Sequence, residues 1–232
     1  MTGPADLSSW LVGRGLTPQQ ADLWGDFIID ALDLLEDGHT LLRDPQEWPS
    51  FLGGCHGTRP TEPELTSGLG DRMERLRNAA PLGSDRDKIQ VSYEAPTPGD
   101  HNHGIRKSKA DFRFVRKFEA GYAAAFVLEA KPLSAQADLT SRYLGTDGLG
   151  CFTQRAPPYS EDLAAGMVGY MRADPEVWPA RLVTALQTQS PTRFDHVQVG
   201  QRTSLASDHP RTQGGLSPVT IIHTLLDFTE PQ

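Results

Sequence analysis

The chain has 232 residues, with 22 Lys plus Arg against 30 Asp plus Glu, a formal net charge of −8, and this balance excludes a protein that coats nucleic acid by general basicity. Its 38% apolar content and mean hydropathy of −0.43 describe a chain able to bury one full core. No run of about 18 uncharged apolar residues offers a membrane span, and MTGPADLSSW lacks the basic and apolar segments of a leader. Cys55 and Cys151 stand at no metal-ligand spacing and are expected as free thiols of a cytoplasmic protein.

The first helix is expected from Thr17 to about Glu36. Thr17 and Gln20 make a capping box, Pro18 takes the first helical position and Gly38 ends it, with Leu23, Trp24, Phe27, Ile28, Ala31, Leu34 and Leu35 inward. Arg43 to Pro60 is rich in Pro and Gly and reads as a loop. A second helix runs from Glu62 to about Ala79, with Leu65, Leu69, Met73 and Leu76 inward and Thr61 and Glu64 as its capping box. Lys88 to Glu94 alternates as a strand. Pro96 to His103 connects, and His101 and His103 are expected to face solvent.

Lys109 to Pro132 then reads as a β-hairpin around the three-residue loop Glu119-Ala120-Gly121. Pairing Phe118 with Tyr122 sets Asp111 across from Glu129, a separation of about 5 Å between Cβ atoms. Glu129 and Lys131 share a face, because side chains alternate along a strand. Two acids that close repel unless a cation sits between them. Mg²⁺ or Mn²⁺ with oxygen ligands supplies one, and two carboxylates beside a lysine suit phosphodiester hydrolysis. Arg106, Lys107, Lys109, Arg113, Arg116 and Lys117 place six positive charges within twelve residues, a basic strip suited to a phosphate backbone.

Ser134 to Tyr143 reads as a helix carrying Gln136 and Arg142 on its surface. Gly145 to Gln154 reads as a turn leading to a short strand at Cys151-Phe152-Thr153. Ser160-Glu161-Asp162 is expected to cap a helix through Tyr170, and Asp174-Pro175 to begin another through about Gln187. Val197 to Gln201 and Val219 to Phe228 close the sheet, with His223 a hydrogen-bonded core histidine.

Asp111 followed by Glu129-Ala130-Lys131 at the end of the next apolar strand resembles the PD-(D/E)XK signature of the restriction-endonuclease-like nuclease superfamily, with Ala110 where the family has proline. Arg142-Tyr143-Leu144-Gly145-Thr146-Asp147-Gly148, Met167-Val168-Gly169-Tyr170 and the Ser-x-His-x-Arg turn Ser207 to Arg211 resemble stretches of small nuclease proteins of prokaryotic antiphage systems.

The resemblance implies an α/β fold with a restriction-endonuclease-like core, a central mixed β-sheet flanked by helices, over residues 61–232, and an N-terminal helical extension over 1–60. It implies Asp111, Glu129 and Lys131 as catalytic residues, and Asp111, Glu129 and Glu62 as ligands of Mg²⁺ or Mn²⁺. Lys109, Arg113, Arg116, Lys117, His209 and Arg211 are the expected nucleic-acid contacts. DNA is the implied substrate, cut by a homodimer or within a defence complex. Two rivals keep less of this: a catalytically silent nuclease-like adaptor, which the acidic charge suits, and a small-molecule hydrolase whose carboxylates act without metal.

Overall fold

The structure, a computed structural model, describes residues 3–97, 100, 108–119, 122–213 and 215–229. Asp6, ending the short strand β1 (Ala5–Asp6), accepts the Ser9 N–H at 2.7 Å and starts α1 (Leu7–Val12). The capping box at Thr17 forms: Thr17 Oγ1 accepts the Gln20 N–H at 3.3 Å, Gln20 Oε1 accepts the Thr17 N–H at 3.1 Å, and α2 spans Pro18–Leu42. Where a loop was expected, α3 (Glu47–Gly54) forms, because Trp48 stacks on Phe51 at 5.3 Å and lies under the Arg43 guanidinium at 4.3 Å. The capping box at Thr61 starts α4 (Glu62–Asn78), with Glu64 taking the Thr61 N–H at 2.6 Å. Gly38 does not end α2. A Cβ there would lie 2.8 Å from Met73 Cγ, so this glycine marks the close approach of α2 to α4. Leu23, expected in the core, is 47% exposed.

Eight strands form one mixed sheet: β1, β2 (Gln90–Pro96), β3 (Lys109–Glu119), β4 (Tyr122–Leu133), β5 (Ala164–Met171), β6 (Arg193–Val199), β7 (Arg202–His209) and β8 (Val219–Asp227), in the order β1-β6-β7-β8-β5-β4-β3-β2. From β2 to β4 the strands form an antiparallel meander, and β4, β5 and β8 run parallel. The antiparallel pairs β7–β8 and β6–β7 and the parallel pair β1–β6 complete it.

The segment expected as a helix through Tyr170 is the central strand β5. All eight of its residues are buried, so the apolar run has no polar face from which a period can be read. Its glycines suit the sheet: a Cβ at Gly166 would collide with Leu128 Cδ2, and one at Gly169 would come within 2.6 Å of Leu133 Cδ1.

The connection after β4 is α5 (Gln136–Asp138) followed by a π-helical turn, Leu139–Tyr143, in place of one regular helix. Cys151 to Thr153 lies in α6 (Gly150–Thr153), where a short strand was expected. A 3₁₀ turn at Pro175–Val177 leads into α7 (Trp178–Gln189).

Two apolar layers sandwich the sheet. Helices α1 to α4 pack Trp10, Phe27, Leu35 and Leu69 on Phe112, Phe126, Leu128 and Tyr170. On the other face, Leu139, Tyr143, Phe152, Trp178 and Leu186 pack on Val127, Met167 and Ile221. Residues 7–48 thus share one core with the sheet, and β1 extends the sheet itself.

Candidate metal centre

The hairpin register is the expected one from Phe112↔Leu128 to Lys117↔Ala123. It then shifts, so that Glu119 pairs with Tyr122 where Phe118 was expected to, and Ala120 and Gly121 lie outside the described residues.

The expected Asp111–Glu129 ladder pair is replaced by a different geometry. Ala110 packs in one apolar layer and Phe112 and Phe114 in the other, so the alternation of β3 skips a step at Asp111. Its carboxylate accepts the Ala130 N–H of β4 at 2.7 Å through Oδ2 and the Thr66 hydroxyl of α4 at 3.2 Å through Oδ1. Thr66 Oγ1 lies 3.1 Å from the buried Tyr170 hydroxyl. A side chain thereby occupies the place where two strands part, and it is held on both sides.

Glu62, the first residue of α4, completes the group. One carboxylate oxygen from each of Glu62, Asp111 and Glu129 lies within 4.8 Å of the others, so the three can hold a metal ion. Lys131 Nζ donates to Glu129 Oε1 at 2.6 Å and to Glu62 Oε1 at 2.8 Å, and Arg142 donates to Glu62 Oε2 at 3.2 Å. Glu129 Oε2 is buried and has no hydrogen-bond partner. An orphaned carboxylate oxygen in the interior is costly, and a divalent cation is the natural group to satisfy it. The capping role expected of Glu64 holds, since it takes the N–H groups of Thr61 and His56.

The electrostatics reflect three acids facing one amine. Burial, with Glu62 adding to it, pushes Asp111 up to about 6 against the lowering pull of Lys131 and the Ala130 N–H. Burial and then the Asp111 charge push Glu129 well above the carboxylate range. For Lys131, burial acts downward, but Glu129, Asp111 and Glu62 outweigh it and the net shift is upward. The three carboxylates thus favour the ammonium form of Lys131 in the metal-free site.

The other expected contacts scatter. Arg116 is buried: it bonds Asp30 at 2.7 Å and the Asp85 carbonyl at 3.0 Å, and it lies over the Phe27 ring, so it belongs to the packing of α2 on β3. Lys109 pairs with Glu94 at 3.4 Å and Lys117 is exposed. Arg113 stands two residues from Asp111, and its Nε is buried without a hydrogen-bond partner. Arg106, Lys107, His101 and His103 lie outside the described residues.

His209 is not in a turn. It ends β7 and is buried, as the sheet continues through Ser207 where Ser, Asp and Pro letters suggested a loop. Arg211 donates to the carbonyls of Ser160 and Asp162, fastening that loop.

His209 belongs to a buried chain of hydrogen bonds. Tyr143 donates to the Met167 carbonyl at 3.1 Å, so it must accept from His223 Nδ1. His223 Nε2 then accepts from Ser207, whose oxygen accepts from His209 Nε2. This chain of bonds suits a neutral His223, and burial disfavours the charge on both imidazoles. Burial holds His209 down to about 4, and burial with His209 beside it holds His223 down to about 3.

In the unfolded chain both histidines titrate near 6.5, so that state binds protons the native one refuses. Their contribution to stability is complete above pH 6.5 and is lost as the pH falls toward 4 and 3, on the order of 2 kcal/mol each by pH 5. An imidazole NMR titration checks this. Neither ring moves between pH 8 and 5 if both are buried and neutral, and a midpoint near 6.5 contradicts the chain.

Thr66 and Tyr170 are members of the site that sequence patterns did not single out, and Arg142, expected on a helix surface, joins it through Glu62. Thr66 stands four residues after Glu62, on the same helical face, and that spacing was the available signal. The π-helical turn carries Arg142 back to Glu62, which no local pattern announces. Among the described residues no helix is long and apolar enough to cross a membrane. No family model, curated protein or solved structure matches the chain.

Proposed function

We propose that the chain is a metal-dependent nuclease that hydrolyses DNA phosphodiester bonds, built on a PD-(D/E)XK core and acting in the cytoplasm in prokaryotic defence against phage or foreign DNA. The observation that carries this reading is the convergence of Glu62, Asp111 and Glu129 around the Lys131 ammonium, with one buried carboxylate oxygen left unpartnered. Supporting it is the order of elements: a helix bearing Glu62, an antiparallel meander bearing Asp111 and Glu129, a helical connection, and β5 parallel to β4.

The donor set is hard oxygen, which suits Mg²⁺ or Mn²⁺ held by Glu62, Asp111 and Glu129. Bound there, such an ion supplies Lewis acidity toward a phosphoryl oxygen and makes a bound water more acidic. Lys131, as an ammonium, would orient a water by donating to it and stabilise charge that builds on phosphoryl oxygens. Thr66 and the Ala130 N–H fix the Asp111 carboxylate, and Arg142 fixes that of Glu62. With Arg116 engaged in packing and a net charge of −8 on the chain, binding DNA calls for a homodimer or a partner protein.

The net charge of −8 favours as a second reading a silent adaptor of a defence complex. Cleavage of plasmid and linear DNA in Mg²⁺ or Mn²⁺ separates the two. A nuclease cuts, and loses about 10²–10³-fold in rate when Lys131 becomes Ala. A wild-type chain that never cuts in either metal is the adaptor.

A further inference from the structure

Beside the metal centre lies a second feature that the chemistry above does not use. Two residues along each strand from Asp111 and Glu129, at Arg113↔Val127, a hollow of about 310 Å³ opens over the small side chains of Ala125 and Val127 and is rimmed by Glu161 and Asp162, with Tyr159 as its wall. Its nearness to the centre is electrostatic as well as sequential, since the Glu129 charge acts on Tyr159.

The lining is asymmetric. On the β3 side stands Arg113, whose charge acts on Asp162 across the hollow and whose guanidinium has the fork geometry that suits phosphate. On the loop side stand carboxylates. Asp162 spends Oδ2 on the Ala125 N–H, and Glu161 is exposed. Arg211 holds the backbone of this rim by the carbonyls of Ser160 and Asp162, and the Ala125 N–H fixes the Asp162 carboxylate.

We infer that this hollow is a base-selective subsite, in which Arg113 takes the phosphate next to the one at the metal centre while the Glu161–Asp162 rim accepts hydrogen bonds from an exocyclic amino group of the attached base. The inference rests on the nuclease reading and adds to it a substrate preference. A volume of about 310 Å³ is at the small end for ligand sites, enough for one nucleotide unit. The apolar floor of Ala125 and Val127 receives the flat face of a base. A rim of acceptors favours cytosine, whose N4 donates, over thymine, whose O4 in the same place meets a carboxylate. In duplex DNA the face of each base is stacked on its neighbours, so a base lying flat on this floor belongs to a single strand or a frayed end.

The test is fluorescence anisotropy of labelled oligo(dC) and oligo(dT) octamers on the full chain in EDTA, where no metal-dependent cutting occurs. Wild type is expected to bind oligo(dC) about tenfold tighter, the lower end of what one good base contact discriminates. Glu161→Ala brings oligo(dC) to the oligo(dT) level. Arg113→Ala weakens both equally and lowers the salt dependence by about one phosphate contact. Equal affinity of wild type for the two octamers, absence of binding to either, or a preference that survives Glu161→Ala overturns the subsite. A Mn²⁺ titration of the same wild-type protein keeps the two ideas apart. Mn²⁺ binding without a cytosine preference removes the subsite alone, and a cytosine preference without Mn²⁺ binding removes the metal centre alone.

Discussion

Lys131→Met is expected to destabilise the metal-free protein by about 3–5 kcal/mol at pH 8, the cost of removing one partner from a buried ion pair. The ammonium is 2.6 Å from one Glu129 oxygen and 2.8 Å from one of Glu62, and its side chain and that of Glu129 are each 7% exposed. Without it, three carboxylates face one another in the interior, answered by Arg142 at the outer edge of Glu62 alone.

Two features make the loss diagnostic. Carboxylates whose native pKa is raised weaken the fold as pH climbs through that raised value, because the native state must give up protons it binds more tightly than the unfolded chain does. The deficit is therefore smaller at pH 5 than at pH 8. A divalent ion that binds only the native state stabilises it by mass action, so millimolar Mn²⁺ restores much of what the substitution removed. Urea unfolding in EDTA and in Mn²⁺ at the two pH values measures all of this. If Lys131→Met matches wild type in EDTA at pH 8, the amine is not the internal counter-cation of this site.

The second large effect concerns metal affinity. Asp111 titrates at about 6 and Glu129 well above the usual carboxylate range, both raised first by burial, and a metal ligand must be ionised to bind. Mn²⁺ affinity is thus expected to fall as pH drops, by about tenfold per unit below 6 for the Asp111 proton, with displacement of the Glu129 proton adding to the fall. Calorimetry in buffers of differing ionisation enthalpy reads the released proton directly.

Asp111→Asn keeps an oxygen for the Ala130 N–H while removing one of the three charges. It is expected to be as stable as wild type in EDTA or more so, yet to lose more Mn²⁺ affinity than the roughly 10–100-fold typical of an outer-shell partner. Affinity independent of pH between 5 and 8, or undiminished by the asparagine, would place the ion elsewhere or nowhere.

What could be read in the sequence was what nearest neighbours decide. Both capping boxes, at Thr17 and Thr61, depend on atoms three residues apart, and both formed. The hairpin register from Phe112 to Lys117 follows from one turn and an alternating pattern, and it brought Asp111, Glu129 and Lys131 into one neighbourhood. His223 as a bonded core histidine was legible from the apolar strand around it.

Tertiary structure decided the rest, because the competing local choices were close in energy and only packing separated them. Ala164 to Met171 is apolar on every side, so its strand form depends on β4 and β8 offering backbone partners. Gly38 looked like a helix stop and is a contact with Met73. Arg116 left the basic strip for Asp30, eighty-six residues away in sequence, and His209 turned inward when β7 paired with β8. The site shows the division most sharply. Composition and spacing supplied two acids and an amine, and the family resemblance named Glu62, but the parting of β3 from β4 aimed Asp111, and the docking of α4 on the sheet brought Glu62 to them and added Thr66. A chain can encode which groups are available within a few residues. Where they meet depends on layers that exist only once the whole core has closed.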